Sequence, residues 1–156
     1  IAIIHIDETY ENAIHMQEKE RGFRNYFSNK VNQDYNITTL NLKNPDVEIS
    51  FNTFLIENPN LSGIFITTSK AYQIAKIIND NQRAKIGIIG YDLIDENIGF
   101  LNQGLIDFLI HQNPKRQAYL GITCLIEHFL FDKEIPSMTL LPIDIINSEN
   151  ADFYSA

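Results

Sequence analysis

The sequence predicts an α/β fold of three layers, α/β/α, built on a mostly parallel sheet. Two observations lead there and a third bounds the answer. Short β-branched apolar runs alternate with helix-forming stretches along the whole chain, the pattern of right-handed βαβ units. The run over 86–89, IGII, is apolar without alternation, as a parallel strand buried on both faces requires. With 156 residues, 44% of them hydrophobic, and no internal repeat or linker, the chain can bury one substantial core.

Taken in order, residues 1–6 (IAIIHI) form a buried strand interrupted only by His5. Asp7 or Thr9 can cap a helix over about 10–29, with Ala13, Met16, Phe23, Tyr26 and Phe27 at helical spacing. Gly22 within it costs about 1 kcal/mol relative to Ala, which points to close packing against a neighbour. A second strand covers 36–42. Pro45 and Asp46 open a helix whose inner side is Val47, Phe51, Phe54 and Leu55, closed by Asn58-Pro59. Residues 61–67 make the third strand, and Ser69 can cap a helix with the stripe Ala71, Ile74, Ala75 and Ile78.

The fourth strand ends in Gly90-Tyr91-Asp92, with Asp95 or Asn97 able to cap the helix after it. Residues 104–110 read as the fifth strand, and 115–131 as a helix apolar over much of its girth. A last strand spans 138–146 with Pro142 inside it, which suits an edge. The final nine residues read as peripheral.

Charge and motifs narrow the chemistry. Twelve Lys and Arg against 20 Asp and Glu give a net charge of −8, which argues against a broad nucleic-acid or anionic-membrane surface. The single Cys124 allows no internal disulfide, and His5, His15, His111 and His128 are scattered, so no metal site is expected. No GxGxxG, P-loop or GxSxG pattern occurs, and no cofactor is expected. No run is long enough to span a membrane, and nothing resembles a signal peptide. The chain opens inside a strand without an initiator Met, and so reads as part of something longer. Asp7 could suggest a phospho-acceptor site, but the accompanying acidic cluster and lysine are not evident. Asp107 lies inside the fifth strand and reads as an outward or edge carboxylate rather than a catalytic one.

Asp92 stands where a binding carboxylate belongs, because ligands of open α/β sheets sit outside the carboxyl ends of strands. On the local pattern alone, a plain turn residue is the commoner reading.

The runs GIFITTSKAYQIAKII, IGIIGYDLIDENIGFLNQGLIDFLIHQNPKRQAYLGI and LLPIDIINSEN carry more weight. They resemble the effector-binding domain of lactose-repressor (LacI) family regulators, which shares its fold with the periplasmic sugar-binding proteins. The resemblance covers nearly the whole chain. Its most specific parts are Gly90 to Asp92, Gln112-Asn113-Pro114 with Gln117, and the final Leu-Leu-Pro strand.

The family domain clamps its ligand between two lobes. The resemblance implies that 1–112 and 138–150 form the second lobe of this periplasmic-binding-protein type I fold. Residues 113–136 then hold a helix that packs on the first lobe, which lies outside this chain together with the DNA-binding headpiece. It also implies ligand contacts: Asp92 as the binding aspartate, Gln112 as the glutamine at the inter-lobe crossing, and Lys19 in place of the family's arginine. Thr68 and Ser69 stand where an Asn-Asp pair often reads the sugar. Lys19 supplies a point charge without a planar fork, and Thr68-Ser69 have shorter reach. Tyr91 and Tyr72 line or flank the cleft, packing roles being equally open.

The implied function is binding of a small-molecule effector, a carbohydrate, within a cytoplasmic, homodimeric bacterial transcriptional regulator that meets DNA only through its headpiece. The alternative is an extracytoplasmic sugar-binding domain of a transporter or receptor. An enzyme lobe using Asp92 as general base is set aside, since no partnered acid, nucleophile or cofactor motif accompanies it. Asp92, Gln112, Lys19 and Thr68 are expected on one solvent-facing rim of the sheet. The helix over 115–131 is expected to dock on a second copy or to exchange with it, hinged at Asn113-Pro114 and 133–136.

Overall fold

The computed structural model describes residues 1–7, 13–30, 35–81 and 85–154. Six strands and five helices follow in the order β1 (Ala2–Ile6), α1 (Ile14–Ser28), β2 (Thr38–Leu42), α2 (Val47–Glu57), β3 (Gly63–Ile66) and α3 (Ala71–Asp80). Then come β4 (Gly87–Tyr91), α4 (Asp95–Asn102), β5 (Phe108–His111), α5 (Pro114–Phe131) and β6 (Asp144–Ile146), with a short 3-10 turn at Ala151–Tyr154. They build one sheet in the order β2-β1-β3-β4-β5-β6. Every pairing is parallel except β5 with β6. The expected α/β architecture with a mostly parallel sheet is thus the one observed.

The apolar runs explain the layers. Alternate residues of each strand enter opposite faces. Ile4, Ile6, Ile66, Ile88 and Leu109 join Phe51, Leu55, Ile74 and Leu101 of α2, α3 and α4 in the larger core. Ile3, Phe65 and Tyr91 enter a smaller one under Phe23 of α1. Each large side chain withdrawn from water contributes about 1.5–3 kcal/mol. Gly90 is set by contact: a Cβ there would lie 2.5 Å from the Cβ of Ala71, so α3 packs directly on the β4 backbone.

Several expected details differ. The helix expected from residue 10 is described from Ile14, and Thr9 lies outside the described residues. Asp7 does not cap it, because it adopts a positive φ of 62° and turns to other partners. Gly22 has open space where a Cβ would go, so no close neighbour explains it. Ser69 does not cap α3, and neither Asp95 nor Asn97 caps α4, whose N-cap is Ile94.

The fifth strand starts at Phe108 rather than 104, because α4 closes with a Schellman motif. Gly104 takes φ +71°, its N–H bonding Leu101 O while that of Leu105 bonds Phe100 O. The last strand is only three residues long. Asp144 pairs with His111 in an antiparallel ladder, so residues before 144 run past the end of β5 and pair with no strand among the described residues. The C-terminal segment is not wholly peripheral, since Ala151 is buried in the larger core.

No residue of α5 is buried. Leu125, Ile126, Phe129 and Leu130 are all exposed, Phe129 by 78%. A hollow separates this helix from the segment carrying Ile135 and Leu140.

Candidate ligand site

The carboxyl ends of the parallel strands form one rim; Asp92, Gln112 and Lys19 reach it, whereas Thr68, Tyr91 and Tyr72 are placed differently. Asp92 follows the last residue of β4 and takes φ +69°, a left-handed conformation that Asp tolerates better than most residues. Its N–H donates to Ile110 O at 3.1 Å, fastening it to β5. Gln112, just past β5, donates from Nε2 to Asp92 Oδ1 at 3.2 Å. The carboxylate and the amide therefore stand side by side, both half-buried. Gln117 donates to the backbone carbonyl of Gln112 at 2.6 Å. Asn113 caps α5 by accepting the Arg116 N–H at 3.1 Å, with Pro114 in the first turn. The Gln-Asn-Pro run with Gln117 is thus the device that ends β5 and orients Gln112.

Lys19 reaches the rim from α1. Its Nζ donates to Thr67 O at 2.9 Å and lies 3.6 Å above the ring centre of Tyr91, a cation–π arrangement. Tyr91 is 7% exposed and packs on Phe65, so it supports Lys19 from below rather than standing open at the rim. Burial, and then the charge of Asp92, push its phenol up to about 12, so it stays neutral.

Thr68 also departs from the expectation of a solvent-facing residue: it is 6% exposed, and its hydroxyl is buried with no hydrogen-bond partner among the described residues. The next residue of this strand-end loop, Ser69, is held through its backbone carbonyl by Asn97 Nδ2 at 2.9 Å. Ser69 and Asp92 share a hollow with Asp95, His111 and Lys115. Tyr72 lines a different one, with Asn44 and Lys76.

Two further polar groups lie close by; the sequence reading assigned neither to the ligand site, although it raised Asp7 as a helix cap or phospho-acceptor. The first lies under Lys19. Glu20, 7% exposed, accepts from Arg24 Nε at 2.7 Å and Thr39 Oγ1 at 2.6 Å through one oxygen. Its other oxygen is 2.9 Å from His5 Nε2, whose Nδ1 is 2.6 Å from Thr67 Oγ1. Burial alone would raise the Glu20 carboxyl, but hydrogen bonds from Thr39, Arg24 and His5, with the Arg24 charge, bring it down to about 2. The sequence carried a signal for this network: Glu20 falls on the Met16-Phe23 face of α1, and His5 interrupts a buried strand.

The second group is at the end of β1. Asp7 accepts the Asn44 N–H at 2.6 Å, the Asn44 side-chain amide and the Lys70 ammonium. The Asn44 backbone bond and then Lys70 hold its carboxyl below the usual range. Among the described residues, no cluster of three His, Cys, Asp or Glu could hold a metal ion. No described helix is long and apolar enough to cross a membrane.

Against known proteins, the sequence matches the periplasmic binding protein domain over residues 4–133. No curated protein sequence matches it. Among solved structures, the chain is similar to a Bacteroides fragilis protein described as a LacI transcriptional regulator. That match has 30% identity and a TM-score of 0.85, covering 98% of this chain and 54% of the other. An ABC transporter solute-binding protein from Agrobacterium vitis, bound to α-D-tagatopyranose, gives 21% identity and a TM-score of 0.75 over 96% and 50% of the two chains. A periplasmic solute-binding protein from Actinobacillus succinogenes with bound D-allose gives 21% and 0.77 over 97% and 54%. At that identity the last two share the fold alone. The chain spans about half the length of each of these structures. Its parallel sheet, its strand order and the match over 130 residues agree, and the chain belongs to the periplasmic binding protein domain family.

Proposed function

We propose that this chain is the second lobe of a two-lobed domain that binds a small carbohydrate, and that the domain serves a LacI-type transcriptional regulator. The observation that carries the reading is the pairing of Asp92 with Gln112 at the strand carboxyl ends, with Lys19 on the same rim. A carboxylate can accept from two vicinal hydroxyls, and an amide both donates and accepts, which suits a polyol better than an apolar ligand. Asp92, Gln112, Lys19 and Ser69 are the contacts, with Tyr91 supporting Lys19 and Thr68 behind Ser69. No catalytic step is assigned. The regulator is favoured over a transporter's binding protein by the 30% identity to the Bacteroides fragilis structure, against 21% to the transport proteins described above.

In this reading the lobe consists of 1–112 and 138–150, and α5 leaves it to pack on the other lobe. Its wholly unburied apolar face supports that division. Effector bonds to both lobes would favour one inter-lobe angle and shift a two-state equilibrium. The test is a thermal-shift screen of the two-lobed protein with free sugars, beginning with D-allose and D-tagatose. A stabilisation that grows with sugar concentration supports the reading, and no response to any sugar overturns it.

The apolar face of α5 also predicts how the 156-residue chain behaves alone. Leaving four large side chains in water forgoes about 1.5–3 kcal/mol for each. Two copies are therefore expected to associate through α5, and replacing Leu125 and Phe129 by Ser should return a monomer. Light scattering reads the mass directly. A monomer at all concentrations, before any substitution, removes the dimer from the proposal.

A further inference from the structure

Asn97 is the third residue of α4, and its side chain is completely buried. Its Nδ2 lies 2.9 Å from Ser69 O, 3.0 Å from Tyr91 O and 3.0 Å from Asp92 O. Its Oδ1 accepts the N–H of Tyr72 at 2.9 Å. That N–H is in the first turn of α3, where four donors lack intrahelical partners and no side chain before the helix caps it. One amide therefore caps α3 from a different helix and pins the backbones of two neighbouring strand-end loops.

We propose that Asn97 is a positioning residue for ligand binding, setting the Asp92 carboxylate against the Ser69 loop although it cannot touch the ligand itself. The proposal rests on the reading of this rim as the sugar site. Asp92 holds a left-handed φ of 69°, a conformation that costs a non-glycine residue free energy and persists only where its surroundings enforce it. Three bonds enforce it here: the Asp92 N–H to Ile110 O, Gln112 to the side chain, and Asn97 to the carbonyl. The first two tie Asp92 to β5. Asn97 alone of the three ties it toward β3 and α3. The connection runs on across the rim, since Lys70, which precedes α3, pairs with Asp7 at the end of β1. A carboxylate and a loop that must meet adjacent hydroxyls of one ring need that spacing held within about half an ångström.

Two substitutions separate this role from plain stability. Asn97→Asp keeps an acceptor for Tyr72 but places an oxygen against three carbonyls. Asn97→Ser is smaller and keeps one donor. Leu101→Ala, in the core on the same helix, is the control for lost stability without lost positioning.

Hydrogen exchange on the intact protein without ligand is expected to rise about ten-fold at residues 69–72 and 91–93 in Asn97→Ser, while β1 keeps its protection. Binding of D-allose or D-tagatose, whichever stabilises the unsubstituted protein, is expected to weaken at least about ten-fold more than in Leu101→Ala. Partners that orient metal-binding side chains have effects of that size. Unchanged exchange in those two segments overturns the proposal, and so does an affinity loss no larger than that of Leu101→Ala. If neither sugar binds the unsubstituted protein, the sugar reading is what fails, and the exchange result alone decides whether Asn97 positions the loops.

Discussion

Replacing Glu20 by Ala is expected to destabilise the protein by about 2–4 kcal/mol, since each buried donor left without its acceptor costs about 1–3 kcal/mol while the half-exposed Arg24 can turn to water. The reason is that three donors lose their acceptor at once. Arg24 Nε, Thr39 Oγ1 and His5 Nε2 all converge on this carboxylate, which joins α1 to β1 and β2. Chemical denaturation followed by far-UV circular dichroism reads the loss directly.

Glu20→Gln should be far milder, because the imidazole can exchange roles. His5 Nδ1–H would donate to Thr67 Oγ1, leaving Nε2 free to accept from the new amide, and Thr67 can turn its own hydroxyl to Ile4 O at 3.3 Å. Equal losses for Ala and Gln would show that the carboxylate's partners do not set its value.

The same residue sets a pH dependence. The Glu20 carboxyl falls from an ordinary 4.5 to about 2 on folding. Stability from this group is therefore complete above pH 4.5 and is lost as pH falls through 2. The interval is worth roughly 3 kcal/mol at most. Asp7, also held low, is lost in the same direction, so the difference between wild type and Glu20→Gln isolates the Glu20 part. The difference should shrink between pH 5 and pH 2, where both side chains become neutral. A gap that stays constant over that range would mean that Glu20 is not held ionised by its partners.

How much of this was legible in the sequence depends on which physical signal each feature leaves. The sheet was legible because burial on both faces forces apolar runs, and IAIIHI, GIFI and IGII state it plainly. The inner faces of α2 and α3 were legible for the same reason at helical spacing: all eight residues expected there are buried. The starts of α2 after Pro45-Asp46 and of α5 after Asn113 were legible too, but the side-chain caps of α3 and α4 were not, because capping is decided by where the chain comes from. Ser69 looks like a cap in sequence, yet the first turn of α3 is capped by Asn97, 25 residues away from Tyr72.

The site divides along the same line. Asp92 and Gln112 follow strands directly, so strand placement alone brings them together on one rim. The burial of Thr68 and of Tyr91 depends on what the rest of the chain lays over them, Phe65 and Lys19 in the case of Tyr91, which no local pattern encodes. Asn97 carries no sequence signal of its own, since a polar residue near a helix start reads as solvent-facing or as a cap. The buried Glu20 did carry one, as a charge on an apolar face, and such a position deserves to be read as a network before it is read as an error of pattern.

Asp92→Asn in the two-lobed protein is expected to weaken sugar binding by about 10- to 100-fold with little loss of fold. Asn tolerates the left-handed φ of 69° and still offers Oδ1 to Gln112, so the local structure has its partners. What disappears is the charge. Hydrogen bonds to an ionised acceptor contribute about 1.5–3 kcal/mol against about 1 for neutral pairs, and one of the two acceptor oxygens becomes a donor. Asp92→Ala should go further and leave no measurable binding. It removes both acceptors and leaves Gln112 Nε2 without its bond to Oδ1. It also puts a methyl side chain at a positive φ, a strain of about 1–2 kcal/mol that should appear as a lower Tm. The pair of variants therefore separates recognition from backbone strain: Asn changes affinity with the Tm nearly fixed, and Ala changes both. Calorimetric titration with the sugar that stabilises wild type most in the thermal screen is the measurement. Normal titration of Asp92→Ala by that sugar would remove Asp92 from the site, and with it the main reason for reading this rim as the place where a carbohydrate is held.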